Sequence, residues 1–159
     1  STPIGLEDTA ATIHDQLAQL SANLIQEKLP DYLNGDISGT PQDHSSATYA
    51  GKIPKSDGQI LWHQTAEEID RQIRAFTPWP GTYSHLPIPK KSFLKILSAQ
   101  IAGGSGIPGQ VLVNENGQFE VAAAQGSLIL TSIQREGGRP MSGADFQNGC
   151  PLPPSAILK

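Results

Sequence analysis

Six cations are the residues whose type and placement can do chemistry: Arg71 and Arg74 in a helical stretch, Lys90 and Lys91 within PIPKKSF, and Arg135 and Arg139 around a glycine-rich turn. Guanidinium and ammonium groups in such groupings can contact the phosphates of a nucleic acid. Five aromatic residues, Trp62, Phe76, Trp79, Tyr83 and Phe93, offer faces on which bases stack. Each set also has a plainer reading. Cations commonly make a solvated surface, and aromatics flanked by Ile and Leu commonly fill a core, where three of these five are expected.

Other chemical patterns fail on context. Residues 104–109, GSGIPG, match the GxGxxG fingerprint of dinucleotide sites, which needs a strand before the glycines and a helix after them; Pro108 and the following VLVN predict a turn into another strand. His14, His44, His63 and His85 are scattered without i, i+4 pairing, and no metal ligand is assigned. Ser, His and Asp occur without a nucleophile elbow, so no catalytic residue is nominated. Cys150, between Gly149 and Pro151 with no basic neighbour to activate it, reads as a buried structural thiol.

The elements that position the cations come from 159 residues, of which 37% are apolar and 16% charged, with 16 Gly and 13 Pro. That length fits one domain with an appendage rather than two full enzyme domains, and that composition fits a loop-rich globular chain. One cysteine excludes an internal disulfide and a Cys-based zinc site and favours a reducing, cytoplasmic compartment. No stretch approaches the roughly 20 apolar residues that span a bilayer. The chain begins at Ser1 rather than Met and enters a helix start signal within ten residues, so the front of a longer protein is expected to be missing. Net charge is −4, divided into −5 over residues 1–59 and +1 over the remainder. A near-neutral part can still carry a basic face, because local clustering attracts a polyanion.

The expected fold class is α+β: a helical appendage over residues 1–34, a linker over 35–59, and a small antiparallel barrel with flanking helices over 60–159. Ile13, Leu17, Leu20 and Leu24 fall at helical spacing behind Asp8 and Thr9 as N-caps; Pro30 should kink or restart the helix, and Asn34-Gly35 should end it. Such a stripe needs a covering partner, from this chain or from an absent domain. Residues 35–57 are rich in Gly, Ser, Thr, Pro and Asp. Thr65-Ala66-Glu67-Glu68 has capping-box spacing and opens a helix through Ile69, Ile73 and Phe76. SFLKILSAQI, GQVLVN, GQFEVAAA and SLILTSI predict strands, with Asn116-Gly117 as a hairpin turn. Ser142 caps a short helix through Phe146, and a Pro-rich tail packs back irregularly.

Residues 47–83, ATYAGKIPKSDGQILWHQTAEEIDRQIRAFTPWPGTY, closely resemble the linker and domain junction of the methionyl-tRNA formyltransferase family, with its ATYA-x-KI-x-K stretch and IRAF-x-PWPG ending. PIGLEDTAATIHDQLAQLSANLI resembles the end of that family's catalytic domain, and LTSIQREGGRPMSGADFQNG its C-terminal signature. The resemblance implies the C-terminal part of an enzyme that moves a formyl group from 10-formyltetrahydrofolate, its co-substrate, to methionyl-initiator tRNA. It implies an OB-like, tRNA-binding C-terminal domain. The catalytic Asn, His and Asp and the folate pocket of the family belong to an N-terminal domain whose motifs this sequence lacks, so no catalytic or cofactor residue is carried over. Lys52 and Lys55 align with the KI-x-K positions, and Arg71 and Arg74 with the helix before the PWPG block; Lys90, Lys91, Arg135 and Arg139 rest on charge alone. The expected partners are initiator methionyl-tRNA and the N-terminal domain, with a monomeric chain and no membrane. The alternatives are the corresponding part of an amino-sugar-nucleotide formyltransferase and a stand-alone nucleic-acid-binding module.

Overall fold

The computed structural model describes residues 2–88, 92–113, 116–154 and 156–159. The chain divides into two units, Ser1–Ile53 and Pro54–Lys159. No helix among the described residues is long and apolar enough to cross a membrane.

The first unit is built on α1, Ala10–Asn34. Thr9 caps it reciprocally with Thr12, and Asp8 accepts a hydrogen bond from the Thr12 hydroxyl at 2.9 Å. The expected restart at Pro30 does not occur. Pro30 lies inside the helix, which runs on to a left-handed cap at Gly35 (φ 81°). A proline costs one intrahelical hydrogen bond, and here a single remaining turn follows it before the cap. No residue of α1 is buried. Leu24, Ile25, Leu29, Tyr32 and Ile37, with Lys28, line a shallow apolar hollow.

The second unit is a curled antiparallel sheet with two helices. Its strands are β1 (Thr82–His85), β2 (Phe93–Ala102), β3 (Val111–Leu112), β4 (Glu120–Ala122), β5 (Ser127–Arg135) and β6 (Pro140–Ser142). Their order is β1-β2-β5-β4-β3, with β6 also on β5. The α+β class and antiparallel sheet are therefore as expected, while β1 and β6 were not among the predicted strands. The β3–β4 hairpin forms with Gly117 at φ 67°. The tail is more ordered than expected at its end: Val111 donates to Ala156, Leu158 to Gly109, and His85 and Lys159 exchange backbone hydrogen bonds. It thereby links β1 to β3, two outer strands of the sheet.

The core joins Ile69 and Ile73 of α2 (Ala66–Ala75) to Leu94, Ile96, Leu128, Leu130 and Ile133 of the sheet, and to Phe146 of α3 (Gly143–Gly149). Phe146 stacks on Phe119 at 5.3 Å between centroids. A Cβ on Gly143 would lie 2.1 Å from the Leu130 carbonyl oxygen, so only glycine lets α3 approach β5 this closely. Ser127, fully buried, donates to Glu120 Oε1 at 2.5 Å and accepts from the Gly104 amide at 2.8 Å. Residues 104–109 thus lead into β3 rather than a helix, and a Cβ on Gly104 would meet Glu120, Leu112 and Ser127 within 3 Å. Close packing accounts for this glycine, and the dinucleotide reading has no helix to support it.

Candidate nucleic-acid interface

Among the described residues, the nominated cations of the second unit are Lys55, Arg71, Arg74, Arg135 and Arg139, which sit on a 3-10 turn, α2 and the β5–β6 hairpin. Helix α2 begins at a full capping box, in which Thr65 N donates to Glu68 Oε2 at 2.9 Å and Glu68 N donates to Thr65 Oγ1 at 3.2 Å. Burying Ala66, Ile69 and Ile73 leaves Arg71 on the exposed side. Arg74 is different: its Nε holds Asp70 Oδ2 at 2.9 Å, with both side chains about four-fifths covered. Next to Arg71, Gln72 Nε2 donates to the carbonyl oxygens of Asp57 at 2.8 Å and Gln59 at 3.3 Å. These bonds fasten α2 to the segment that carries Lys55.

Lys55–Gly58 forms a short 3-10 turn, and Gln59 pairs with Tyr83 of β1 as Ile60 N donates to the Tyr83 carbonyl at 2.8 Å. A Cβ on Gly58 would lie 2.3 Å from the Gly81 oxygen and 3.6 Å from Tyr83 Cδ1, so the turn is pressed onto the start of β1. From Tyr83 the register crosses the sheet: Tyr83 faces Lys95, Lys95 faces Gln134, and Gln134 faces Pro140. Beyond Gln134 lies the β5–β6 hairpin, with Gly137 at φ 70° and Gln134 Nε2 donating to the Gly138 oxygen at 2.7 Å. Arg135 and Arg139 are exposed at its tip.

Lys55, Arg71, Lys95, Arg135 and Arg139 thus lie along a continuous run of elements, and among the described residues none of them makes an ion pair. The sequences of β1, β2, β5 and β6 contain no Asp or Glu, but Asp57 and Glu136 lie in the flanking turns, and Glu67, Glu68 and Asp70 precede Arg71 on α2. Local clustering of cations attracts polyanions in general even where net charge is near zero, as with the +1 of this unit.

Two nominated sites cannot be joined to this run. Lys52 is exposed in the first unit, and Lys90 and Lys91 lie outside the described residues. Lys95 was missed as a candidate. Its signal is the alternation of β2, where Leu94 and Ile96 are buried and Lys95 between them is exposed. The expectation that three of the five aromatics are internal is corrected: only Trp62 is buried, donating its indole N–H to Ser84 Oγ at 2.9 Å. Phe76, Tyr83 and Phe93 are half-buried and Trp79 is exposed, because each sits at a cap, a loop or the outward side of a strand. Cys150 is half-buried against the core.

The profile of the formyl transferase C-terminal domain matches residues 52–151. The methionyl-tRNA formyltransferase of Citrifermentans bemidjiense is 38% identical over 158 residues, covering 99% of this chain and 49% of its own length. That of Myxococcus xanthus is 39% identical, covering 96% of this chain and 48% of its own. The chain therefore spans about half the length of these relatives. In structure it is similar to HypX from Aquifex aeolicus, solved in complex with tetrahydrofolic acid, at TM-score 0.68 and 18% identity over 92% of this chain and 26% of that one. A second HypX crystal structure gives TM-score 0.66 at 19% identity over 93% of this chain and 27% of that one. At those identities the likeness shows the fold alone. The match over residues 52–151 establishes that the chain belongs to the formyl transferase C-terminal domain family.

Proposed function

We propose that this chain is the C-terminal part of a cytoplasmic methionyl-tRNA formyltransferase and that its second unit supplies tRNA binding. The observation that carries this reading is the run of Lys55, Arg71, Lys95, Arg135 and Arg139 across α2, strands β2 and β5 and the turns beside them, in a chain whose relatives at 38–39% identity bear that enzyme's name. Phosphate contacts from Lys55, Arg71, Arg135 and Arg139, joined by Lys52 of the linker and by Lys90 and Lys91, position the tRNA without reading its sequence. Arg74 acts differently within the set, since Asp70 already holds its guanidinium in place. The formyl donor, 10-formyltetrahydrofolate, is a co-substrate of the N-terminal domain, and no residue of this chain is assigned to it.

In this reading residues 1–34 are the helical end of the catalytic domain, and the uncovered stripe of α1 packs on that domain. Residues 35–59 form the linker and 60–159 the OB-like tRNA-binding domain. Limited proteolysis checks the division: the first cuts are expected between Gly35 and Ile53, and early cuts within β2 or β5 would contradict it. Titration with initiator and elongator tRNAs tests the function itself. Both should bind alike, in the micromolar range or weaker, because backbone contacts carry no sequence information. Incubation with 10-formyltetrahydrofolate and methionyl-tRNA should give no formylation. Turnover by this chain, or absence of tRNA binding, would overturn the reading.

A further inference from the structure

We propose that Tyr83, His85, Phe93 and Lys95 form a stacking site on the outer face of the sheet that takes an unpaired base of a single-stranded RNA segment. This deepens the RNA-binding reading and rests on it. Tyr83 meets the His85 ring at 5.7 Å and 84°, and the Phe93 ring at 5.8 Å and 64°. His85 faces Phe93 in the register, and Tyr83 faces Lys95. The alternate residues Thr82, Ser84, Leu94 and Ile96 are buried, which places the aromatic cluster and Lys95 on the opposite side of the two strands. None of the three rings is buried, and His85 is exposed.

A core does not account for this cluster, and its electrostatics select the occupant. Beside it on the register stand Lys95 and the neutral Gln134, and the four strands carry no carboxylate, the nearest in sequence being Asp57 and Glu136 in the flanking turns. The turn that bears Lys55 abuts Tyr83 through Gly58. Aromatic rings with unpaired cations beside them fit bases strung on phosphates, by stacking and charge neutralisation together. A duplex keeps its base faces inside its own stack, so the rings can engage only a nucleotide that is not paired.

The test uses the whole chain with two labelled RNAs of equal length, an unstructured oligonucleotide and a blunt duplex, read by fluorescence anisotropy. Tyr83→Leu should weaken the oligonucleotide about tenfold and leave the duplex within about twofold, whereas Tyr83→Phe, which keeps a stacking face, should retain oligonucleotide binding. Lys95→Ala should weaken both RNAs, since both present phosphates. Because a Leu variant can fail to fold, circular dichroism accompanies it, and the wild type is also photocrosslinked to iodouridine-substituted oligonucleotide. The crosslink is expected on Tyr83, His85 or Phe93. Equal effects of Tyr83→Leu on both RNAs, or a crosslink mapped elsewhere, would overturn the stacking site while leaving tRNA binding intact. Failure of tRNA, duplex and oligonucleotide alike to bind the wild type would overturn the RNA reading and the stacking site with it.

Discussion

Helices α1 and α2 are both opened by a threonine capping box, and both carry apolar residues at helical spacing, yet α2 buries Ala66, Ile69 and Ile73 while α1 buries none of its residues. Periodicity names the face that wants cover, and the tertiary neighbour decides whether it is covered. For α2 the cover is supplied by the sheet, through residues such as Leu94 and Ile96. For α1, Leu17, Leu20, Leu24 and Leu29 remain 45–58% exposed.

The sharpest way to break this comparison is to shorten one side chain on each helix. Ile69→Ala removes a fully buried side chain and is expected to cost about 2–5 kcal/mol, through lost transfer energy and the cavity left behind. Leu24→Ala removes an exposed one and should change stability by less than about 0.5 kcal/mol. Urea unfolding followed by circular dichroism reads both, and equal shifts would show that α1 is covered after all.

A smaller effect is expected within the sheet, at the buried polar link between β4 and β5. Ser127→Ala deprives the Gly104 amide of its acceptor and Glu120 of one donor, which should cost about 1–3 kcal/mol. Ser127→Thr keeps the hydroxyl but adds a methyl beside it. A thermal scan showing the Ala variant as stable as wild type would remove this link from the account of how residues 103–110 are held.

The smallest expected effect returns to the first unit. Asp43 accepts from the Ser45 hydroxyl at 2.6 Å, from the Ser46 hydroxyl at 2.7 Å and from the Ser45 amide at 3.0 Å. The Ser45 hydroxyl first, then that of Ser46, holds its carboxyl below the usual value. A group whose pKa is depressed by folding contributes stability above its unfolded pKa and loses it as pH falls through the folded value. The turn at residues 43–46 should therefore loosen only below about pH 4. Amide chemical shifts of Ser45 and Ser46 followed against pH check this, and Ser45→Ala should move the midpoint upward.

How much of this was legible in the sequence varies by element for physical reasons. The start of α2 was readable because Thr65 and Glu68 carry its cap locally, and the β3–β4 hairpin because Asn116-Gly117 is a local turn signal. Strand β1 was not readable, because its inward residues are hydroxyls rather than hydrocarbons. Thr82 Oγ1 donates to the Ile96 oxygen at 2.7 Å, and Ser84 accepts from Trp62 while donating to the Lys159 oxygen. Polar residues satisfied by distant partners invert the alternation that marks a strand. The order in Ala156–Lys159 was hidden likewise, since its hydrogen bonds go to residues 85 and 109–111. In the candidate site, cations paired in sequence were visible, whereas Lys95 stands alone on β2 and gains its place only through the register with Tyr83 and Gln134.

The central claim, that the run of cations on the second unit engages tRNA phosphates, is tested most directly by salt dependence. Affinity for tRNA should fall linearly on a log–log plot, by about 0.9 per phosphate contact on duplex. In a variant with Lys55, Arg71, Lys95 and Arg135 all replaced by Ala, the account predicts weaker binding to every tRNA and a slope shallower by about 3.6. Superimposable salt plots for wild type and variant would contradict it and leave these four residues as an ordinary solvated surface.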